Sequence, residues 1–321
     1  MLPQVQVAHR LLQACDRSGI EMMDSPTGTG KSIALLTAAV AWQRRAFQAS
    51  GAAPQIIYGV RTHAQLAQMV GELKKMPYAP RMAVIGSREQ SCINGDVKAE
   101  AARQRVALSL MCRQAARRAI QAQSNMPGQD LNMGCSCENY VQLGSGTHAK
   151  RVFTTCAAPG QVWDLEDLVK SSRSAGALGG CPYYTSHILA GDADVVFCPH
   201  NYILDPAVSQ CKSHHRERWS LEDRIIIVDE AHNLEQGCRE AGSIETTLTE
   251  LRQASLALES LPKRHPTLRV RSKTGEVQCG ELVEEMRYLP DQLAKALQSL
   301  AQKGPTAPNG QQQQQQQQQQ Q

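Results

Sequence analysis

The chain has 321 residues, 34 Lys+Arg against 30 Asp+Glu for a formal charge of +4, and a hydrophobic share of 41%. That length and share can fill about two domain cores and exclude a wholly disordered chain, and the near-balance of charge means nucleic acid would have to be met by local basic clusters. The longest apolar runs, such as Ile225–Val228, fall far short of the roughly 20 residues a membrane span needs, so no membrane partner is expected. In chain order, the first ten residues hold Gln4, His9 and Arg10 with no apolar core behind a basic start, so no secretory signal is expected. Strand-like runs follow at Ile20–Asp24, Gln55–Val60, Arg81–Gly86, Ala193–Cys198 and Arg224–Asp229, apolar at most positions, as in a parallel sheet buried on both faces. Helical patterns at about Lys31–Ala49 and His63–Lys75 alternate with them, which predicts an α/β domain. From about Cys92 to Tyr184 that rhythm breaks, and the stretch reads as an insertion. It includes a helical pattern over Lys98–Ile120 that carries Lys98, Arg103, Arg105, Arg113, Arg117 and Arg118 against the single acid Glu100, the most lopsided positive cluster of the chain. After His232 the pattern is helical again, through Leu248–Leu261 and Gly280–Gln302, with no further strand ladder expected. The tail from Gly304 ends in eleven glutamines, Gln311 to Gln321, a low-complexity segment with no core to bury.

Two strings carry phosphate chemistry. Ser25-Pro26-Thr27-Gly28-Thr29-Gly30-Lys31-Ser32 follows a predicted strand and opens a predicted helix. In that context the Gly28–Gly30 backbone cradles phosphate oxygens, Lys31 reaches the outer phosphates and Ser32 offers a hydroxyl to Mg²⁺. Ser25 stands where a leading glycine is usual. Some two hundred residues on, Ile225-Ile226-Ile227-Val228 runs into Asp229-Glu230-Ala231-His232. A carboxylate at the end of a buried strand is costly without a partner, which makes Asp229 the second Mg²⁺ ligand. Glu230 is then placed to orient or deprotonate an attacking water, and His232 joins the nucleotide-facing set.

These strings, together with Ala41-Trp42-Gln43, Tyr58-Gly59-Val60-Arg61-Thr62-His63, Gly86-Ser87-Arg88-Glu89, Trp163–Leu168, Cys181-Pro182-Tyr183-Tyr184 and His200–Asp205, resemble superfamily 2 DNA helicases of the XPD-like iron–sulfur group over about residues 1–240. Within that group they are most similar to the Fanconi anaemia group J branch. The resemblance implies an α/β, RecA-like P-loop parallel sheet over 1–90 and 190–240, an inserted helical iron–sulfur domain over 91–189, and the start of a helical arch domain over 241–303, followed by a disordered tail over 304–321. It implies an ATP-dependent helicase that couples hydrolysis to movement on single-stranded and forked DNA with 5′–3′ polarity, in DNA repair and in the nucleus, with repair proteins as partners. Gln4 matches the family's adenine-reading glutamine, with Gln6 as the rival. Arg61, Thr62 and His63 match its phosphate-gripping segment, where charge and a neutral donor suit DNA backbone contacts, and Arg113 and Arg117 of the basic helix would line the strand's track.

The resemblance also implies four ligands to a [4Fe–4S] cluster, Cys92, Cys112, Cys137 and Cys181, one thiolate per iron. Cys135 is the alternative third ligand. A zinc site built from Cys135, Cys137, Cys156 and His148 is the competing reading, although paired Cys-x₂-Cys units are absent. Eleven cysteines without an export signal suit a reducing compartment in either case. Asn94-Gly95-Asp96, where relatives carry His-Pro-Glu, is not expected to touch a ligand. No second RecA-like domain follows Asn233 in the pattern, so the expectation is the N-terminal half of a helicase. Two other readings stay open: a non-catalytic nucleotide- and DNA-binding iron–sulfur module, and a P-loop phosphotransferase of another kind.

Overall fold

The computed structural model describes residues 2–26, 28–77, 79–123, 135–141, 161–174, 180–205, 208, 221–243, 251–252, 254–256, 258–260, 269–272, 275–278, 292, 295 and 298. The chain divides into two units, Met1–Gly242 and Ser243–Gln321.

In the first unit, unbroken apolar runs become strands wherever a neighbour offers backbone partners. Strands β1 (Ile56–Val60), β2 (Met82–Val84), β3 (Val195–Pro199) and β4 (Ile225–Val228) form a parallel sheet in the order β2-β3-β1-β4, with Ile56 opposite both Val195 and Ile225. All five residues of β1 are buried, as a central parallel strand covered on both faces requires. Helices α1 (Leu2–Asp16), α2 (Lys31–Ser50) and α3 (His63–Lys74) supply Leu11, Leu36, Val40, Leu66 and Val70 to the same core, each side chain contributing about 1.5–3 kcal/mol by leaving water. Polar stitches fix the layers: buried Gln43 donates from Nε2 to the carbonyls of Pro54 and Asp194, 2.8 Å each, tying α2 to the loops that start β1 and β3.

Three expectations fail. Ile20–Asp24 forms no strand and joins no ladder; Ile20 and Met22 are 98% and 88% exposed, and β4, an edge of the sheet among the described strands, leaves Ile226 41% exposed. Apolar character makes a strand only where backbone partners are within reach. The single helix expected over Lys98–Ile120 is two, α5 (Gly95–Gln104) and α6 (Leu108–Gln123), after the four-residue helix α4 (Arg88–Ser91). Arg105 takes the left-handed conformation at φ 53° and, with Val106, closes the end of α5 through N–H bonds to Ala102 and Ala101 carbonyls. In the second unit, where no ladder was expected, Arg269–Ser272 (β5) and Gly275–Gln278 (β6) pair antiparallel with Val270 opposite Val277. Valines spaced among polar residues, with Gly275 at the start of the return strand, favour that local hairpin over a helix. Most of the helical pattern expected over Gly280–Gln302, and the whole tail, lie outside the described residues.

The inserted stretch builds a second apolar cluster. α6 buries Met111, Cys112, Ala115, Ala116 and Ala119 on one face and exposes Arg113 and Arg117 on the other, the 3.6-residue period at work. Tyr140 of α7 (Glu138–Val141), and Tyr183 and Tyr184 of α9 (Pro182–Asp192), complete the cluster, and α8 (Leu165–Ser174) buries Leu168 in the main core. After β3, a short helix α10 (Asn201–Leu204) follows; after β4, a 3₁₀ turn over Ala231–Asn233 leads into α11 (Leu234–Ala241).

Candidate nucleotide site and cysteine core

The loop before α2 is shaped by its own polar groups. Gly28 and Gly30 sit at φ 76° and 73°, a region that only glycine enters without strain. Ser25 Oγ is 2.9 Å from Thr29 Oγ1, which donates to the Pro26 carbonyl at 2.8 Å, and Lys31 Nζ donates to the Ser25 carbonyl at 2.8 Å. Lys31 is therefore folded over the loop's mouth, where outer phosphates would replace the carbonyl. A Cβ on Gly30 would strike the Gln4 side-chain amide, so the N-terminal helix brings Gln4 against the phosphate loop. Thr27 lies outside the described residues.

Across the sheet, Ser32 Oγ donates to Asp229 Oδ2 at 2.8 Å, joining residues 197 apart in sequence. The same oxygen accepts the Tyr58 hydroxyl at 3.0 Å, and Asp229 N–H donates to the Gly59 carbonyl at 3.0 Å. Burial, and then the Asp229 charge, push the Tyr58 phenol well above its ordinary range, so it stays a donor to that carboxylate. His200, whose ring burial lowers its pKa and favours the neutral form, places Nε2 3.1 Å from the Asp229 carbonyl. Since a carbonyl only accepts, Nε2 carries the proton. Tyr58 and His200 join the Asp229 cluster through contacts that motif reading did not single out. A phenol on an otherwise aliphatic buried strand was the available signal, because a buried hydroxyl needs a partner.

Glu230 follows in the left-handed region at φ 51°, an unusual posture for a residue with a side chain. His232 stands beside Glu230. It is exposed, with Nδ1 3.3 Å from Glu230 Oε2. Arg61, Thr62 and His63 lie at the C-terminal end of β1. Thr62 caps α3, its hydroxyl accepting from Gln65 N–H at 3.3 Å while Gln65 Oε1 accepts from the backbone of Arg61 and Thr62. Arg61 donates to Asn233 Oδ1 at 2.6 Å and to Gln236 Oε1 at 3.4 Å. Arg61, Asn233 and Gln236, with His63, His200 and Asn201, line a cleft of ≈ 380 Å³.

Cys92, Cys112, Cys137 and Cys181 are all buried, about 5–6% exposed each, while Cys135 is partly exposed. Burial raises the thiols of Cys92 and Cys181, and lifts Cys137 to about 11; Cys112 adds to each of the three shifts, so the four sit within one electrostatic neighbourhood. The Arg88 guanidinium stacks 4.0 Å above the Tyr183 ring beside them. Asn94, expected to be remote from any ligand, donates from Nδ2 to Cys137 Sγ at 3.8 Å and accepts at its carbonyl from Cys92 Sγ at 3.8 Å. Its side-chain oxygen caps α5, and that anchoring brings the amide to the sulfurs. Among the described residues no three His, Cys, Asp or Glu side chains are grouped around a point that would hold one metal ion. A four-iron cube asks for something different, one thiolate at each of four separated irons. Cys156 and His148 of the zinc alternative lie outside the described residues.

The DEAD_2 family model matches residues 58–251. Curated relatives include regulator of telomere elongation helicase 1 from Rattus norvegicus, 31% identical over 280 residues (76% of this chain, 20% of that protein), and from Homo sapiens, 30% identical over 284 residues (77% and 21%). The homologue from Oryza sativa subsp. japonica is 31% identical over 285 residues (75% and 25%). The chain thus spans about a fifth to a quarter of these relatives' length. Among solved structures, an XPD helicase aligns with TM-score 0.46 at 14% identity over 92% of this chain and 48% of that one, and a truncated XPD with TM-score 0.43 at 14% identity over 91% and 64%. No helix among the described residues is long and apolar enough to cross a membrane. With a family match that begins on β1 and runs past the Asp229 strand, the chain belongs to the DEAD_2 family.

Proposed function

We propose that this chain is the ATP-binding first motor domain of a DNA helicase with an iron–sulfur insertion, acting on single-stranded and forked DNA in nuclear repair and lying toward the Fanconi anaemia group J branch. The observation that carries the reading is the Ser32–Asp229 hydrogen bond, because a hydroxyl and a carboxylate that meet across a parallel sheet beside a phosphate loop are the donor set a Mg²⁺–nucleotide site needs. Bound there, Mg²⁺ would be held by Ser32 and Asp229 and would neutralise charge on the outer phosphates. Lys31 exchanges the Ser25 carbonyl for phosphate oxygens, the Gly28–Gly30 backbone donates N–H groups, and Gln4 borders the base. Tyr58 keeps the Asp229 carboxylate turned toward Ser32, and Glu230 takes the proton of the attacking water.

The cysteine core fits a four-thiolate group on its own chemistry. Four buried thiols, of which Cys92, Cys137 and Cys181 have pKa values raised by burial, hold charge only when a cation compensates it, and aromatic walls exclude water. A [4Fe–4S] cluster held by Cys92, Cys112, Cys137 and Cys181 would brace α4, α6, α7 and α9, leaving Arg113 and Arg117 outward for a DNA backbone. In comparable nucleotidases an arginine that reaches the γ-phosphate from a partner domain contributes about 10³-fold or more, and these 321 residues assayed by themselves are expected to lack that contribution. The chain should bind single-stranded DNA in low salt, lose that affinity steeply as salt rises, and neither unwind a duplex nor hydrolyse ATP at a DNA-stimulated rate. Robust unwinding by this chain alone would refute the half-motor reading.

A further inference from the structure

Asn233 lies at the meeting point of two parts of the site that no sequence string connects. Its Oδ1 accepts from Arg61 Nη1 at 2.6 Å. Its Nδ2 donates to the Glu230 carbonyl at 3.0 Å and lies 3.1 Å from His232 Nε2, while its backbone N–H also donates to the Glu230 carbonyl at 3.0 Å. One amide therefore uses its oxygen on the cation expected to grip DNA and its two amide protons on the residues around the candidate base. The hydrogen-bond pattern fixes the amide's orientation: the oxygen must face Arg61, which only donates, and the nitrogen must face the Glu230 carbonyl, which only accepts. With Nε2 accepting, the His232 ring presents Nδ1–H to Glu230 Oε2 at 3.3 Å. The segment so held includes Glu230 at φ 51°, a strained posture that persists only when neighbours impose it.

We propose that Asn233 is a positioning residue that reports the occupancy of Arg61 to Glu230. A DNA phosphate and Asn233 Oδ1 compete for one guanidinium. When phosphate takes Arg61, Asn233 loses the donor that orients its amide, and the hold on the Glu230 carbonyl and on His232 is released together. DNA engagement and the nucleotide site are then coupled through a single side chain, and by linkage the coupling is reciprocal: nucleotide changes DNA affinity by the factor by which DNA changes nucleotide affinity. The inference rests on the nucleotide- and DNA-binding reading above and assigns a residue to the connection between the two.

The test uses the whole chain, a fluorescein-labelled oligothymidylate read by anisotropy, and a fluorescent non-hydrolysable ATP analogue with Mg²⁺. In the wild type, saturating oligonucleotide should change the analogue's Kd by about threefold or more, with the same factor in reverse. Asn233→Ala removes the nearer of Arg61's two acceptors and leaves Gln236 Oε1 at 3.4 Å, so DNA should bind about threefold tighter and the coupling factor should fall to one. Asn233→Asp gives Arg61 a charged competitor, so DNA should bind several-fold more weakly, again without coupling. Opposite signs from two substitutions at one position are a result that mere structural damage would not produce. Arg61→Lys, which keeps the charge but loses the planar fork, should also abolish the coupling, and it serves if the Asn233 variants fail to fold. Coupling that survives in Asn233→Ala or Arg61→Lys, or DNA affinities that move the same way in the Ala and Asp variants, overturns the inference. A wild type that binds both ligands without coupling overturns it as well and leaves the functional reading standing. A wild type that binds no nucleotide overturns that reading itself.

Discussion

The phosphate loop and the cysteine core solve opposite problems. Around Asp229 the polar groups satisfy one another: Ser32, Tyr58 and the Gly59 carbonyl occupy its oxygens and N–H, and Lys31 rests on the Ser25 carbonyl. Around Cys181 the thiols have few polar partners, and burial makes their charged form costly. The first region can stand formed before its ligand arrives and exchange internal bonds for external ones. The second is apolar packing wrapped around nucleophiles, and only a bound cation turns those sulfurs from a liability into a tether.

The largest expected effect breaks the second region and spares the first. Cys181→Ser should remove all iron from anaerobically purified protein, from close to four per chain, and expose the amides of α6 and α9 to hydrogen exchange while β1 and β3 stay protected. A colourless wild type with stoichiometric zinc would instead support the zinc alternative. Lys31→Ala should do the reverse, weakening binding of an ATP analogue by about 100-fold, the loss of a charge-assisted contact to phosphate, with iron content unchanged. Unaltered affinity would show that the loop is not the phosphate site.

A pH scan sharpens the comparison. His187 packs on Tyr183 at 4.7 Å and Tyr202 at 5.7 Å between ring centroids, and its buried Nε2 has no hydrogen-bond partner among the described residues. Burial, and then the Arg88 charge, lower its pKa from 6.5 to about 4. The folded state therefore binds fewer protons than the unfolded one between those values. Its stability contribution is complete above about pH 6.5, falls as the pH drops toward 4, and is then flat, a loss on the order of 3 kcal/mol. The thermal midpoint should fall over that window, and His187→Phe should flatten it; an unchanged slope in the variant would place the acid lability elsewhere. The smallest effect is in the first region: Tyr58→Phe, which removes one hydrogen bond to Asp229, should cost about 1 kcal/mol, or roughly fivefold, in Mg²⁺-dependent nucleotide affinity. Nucleotide affinity in chelator should not change.

What could be read from sequence was local. Gly28–Ser32 and Asp229–Glu230 stand out because phosphate and metal chemistry demands those residue types at fixed spacing, β1 and β3 because a doubly covered parallel strand must be apolar throughout, and β4 because its unbroken Ile-Ile-Ile-Val run favours a strand even at the edge. The misses arise where the outcome depends on partners distant in sequence. Ile20–Asp24 has the composition of a strand and no ladder to join. Arg105 ends a helix through a backbone conformation that its side chain does not announce. Tyr58, His200 and Asn233 act through contacts that span from 29 to 172 residues, which no local spacing encodes.

The central claim is that Ser32 and Asp229 together make a Mg²⁺–nucleotide site, and calorimetric titration of the chain with a non-hydrolysable ATP analogue, with Mg²⁺ and then with chelator, tests it most directly. The account predicts one site per chain whose affinity depends on Mg²⁺, with that dependence lost in both Ser32→Ala and Asp229→Ala. Binding that is indifferent to Mg²⁺ in the wild type, or a Mg²⁺ dependence that survives either substitution, would contradict it.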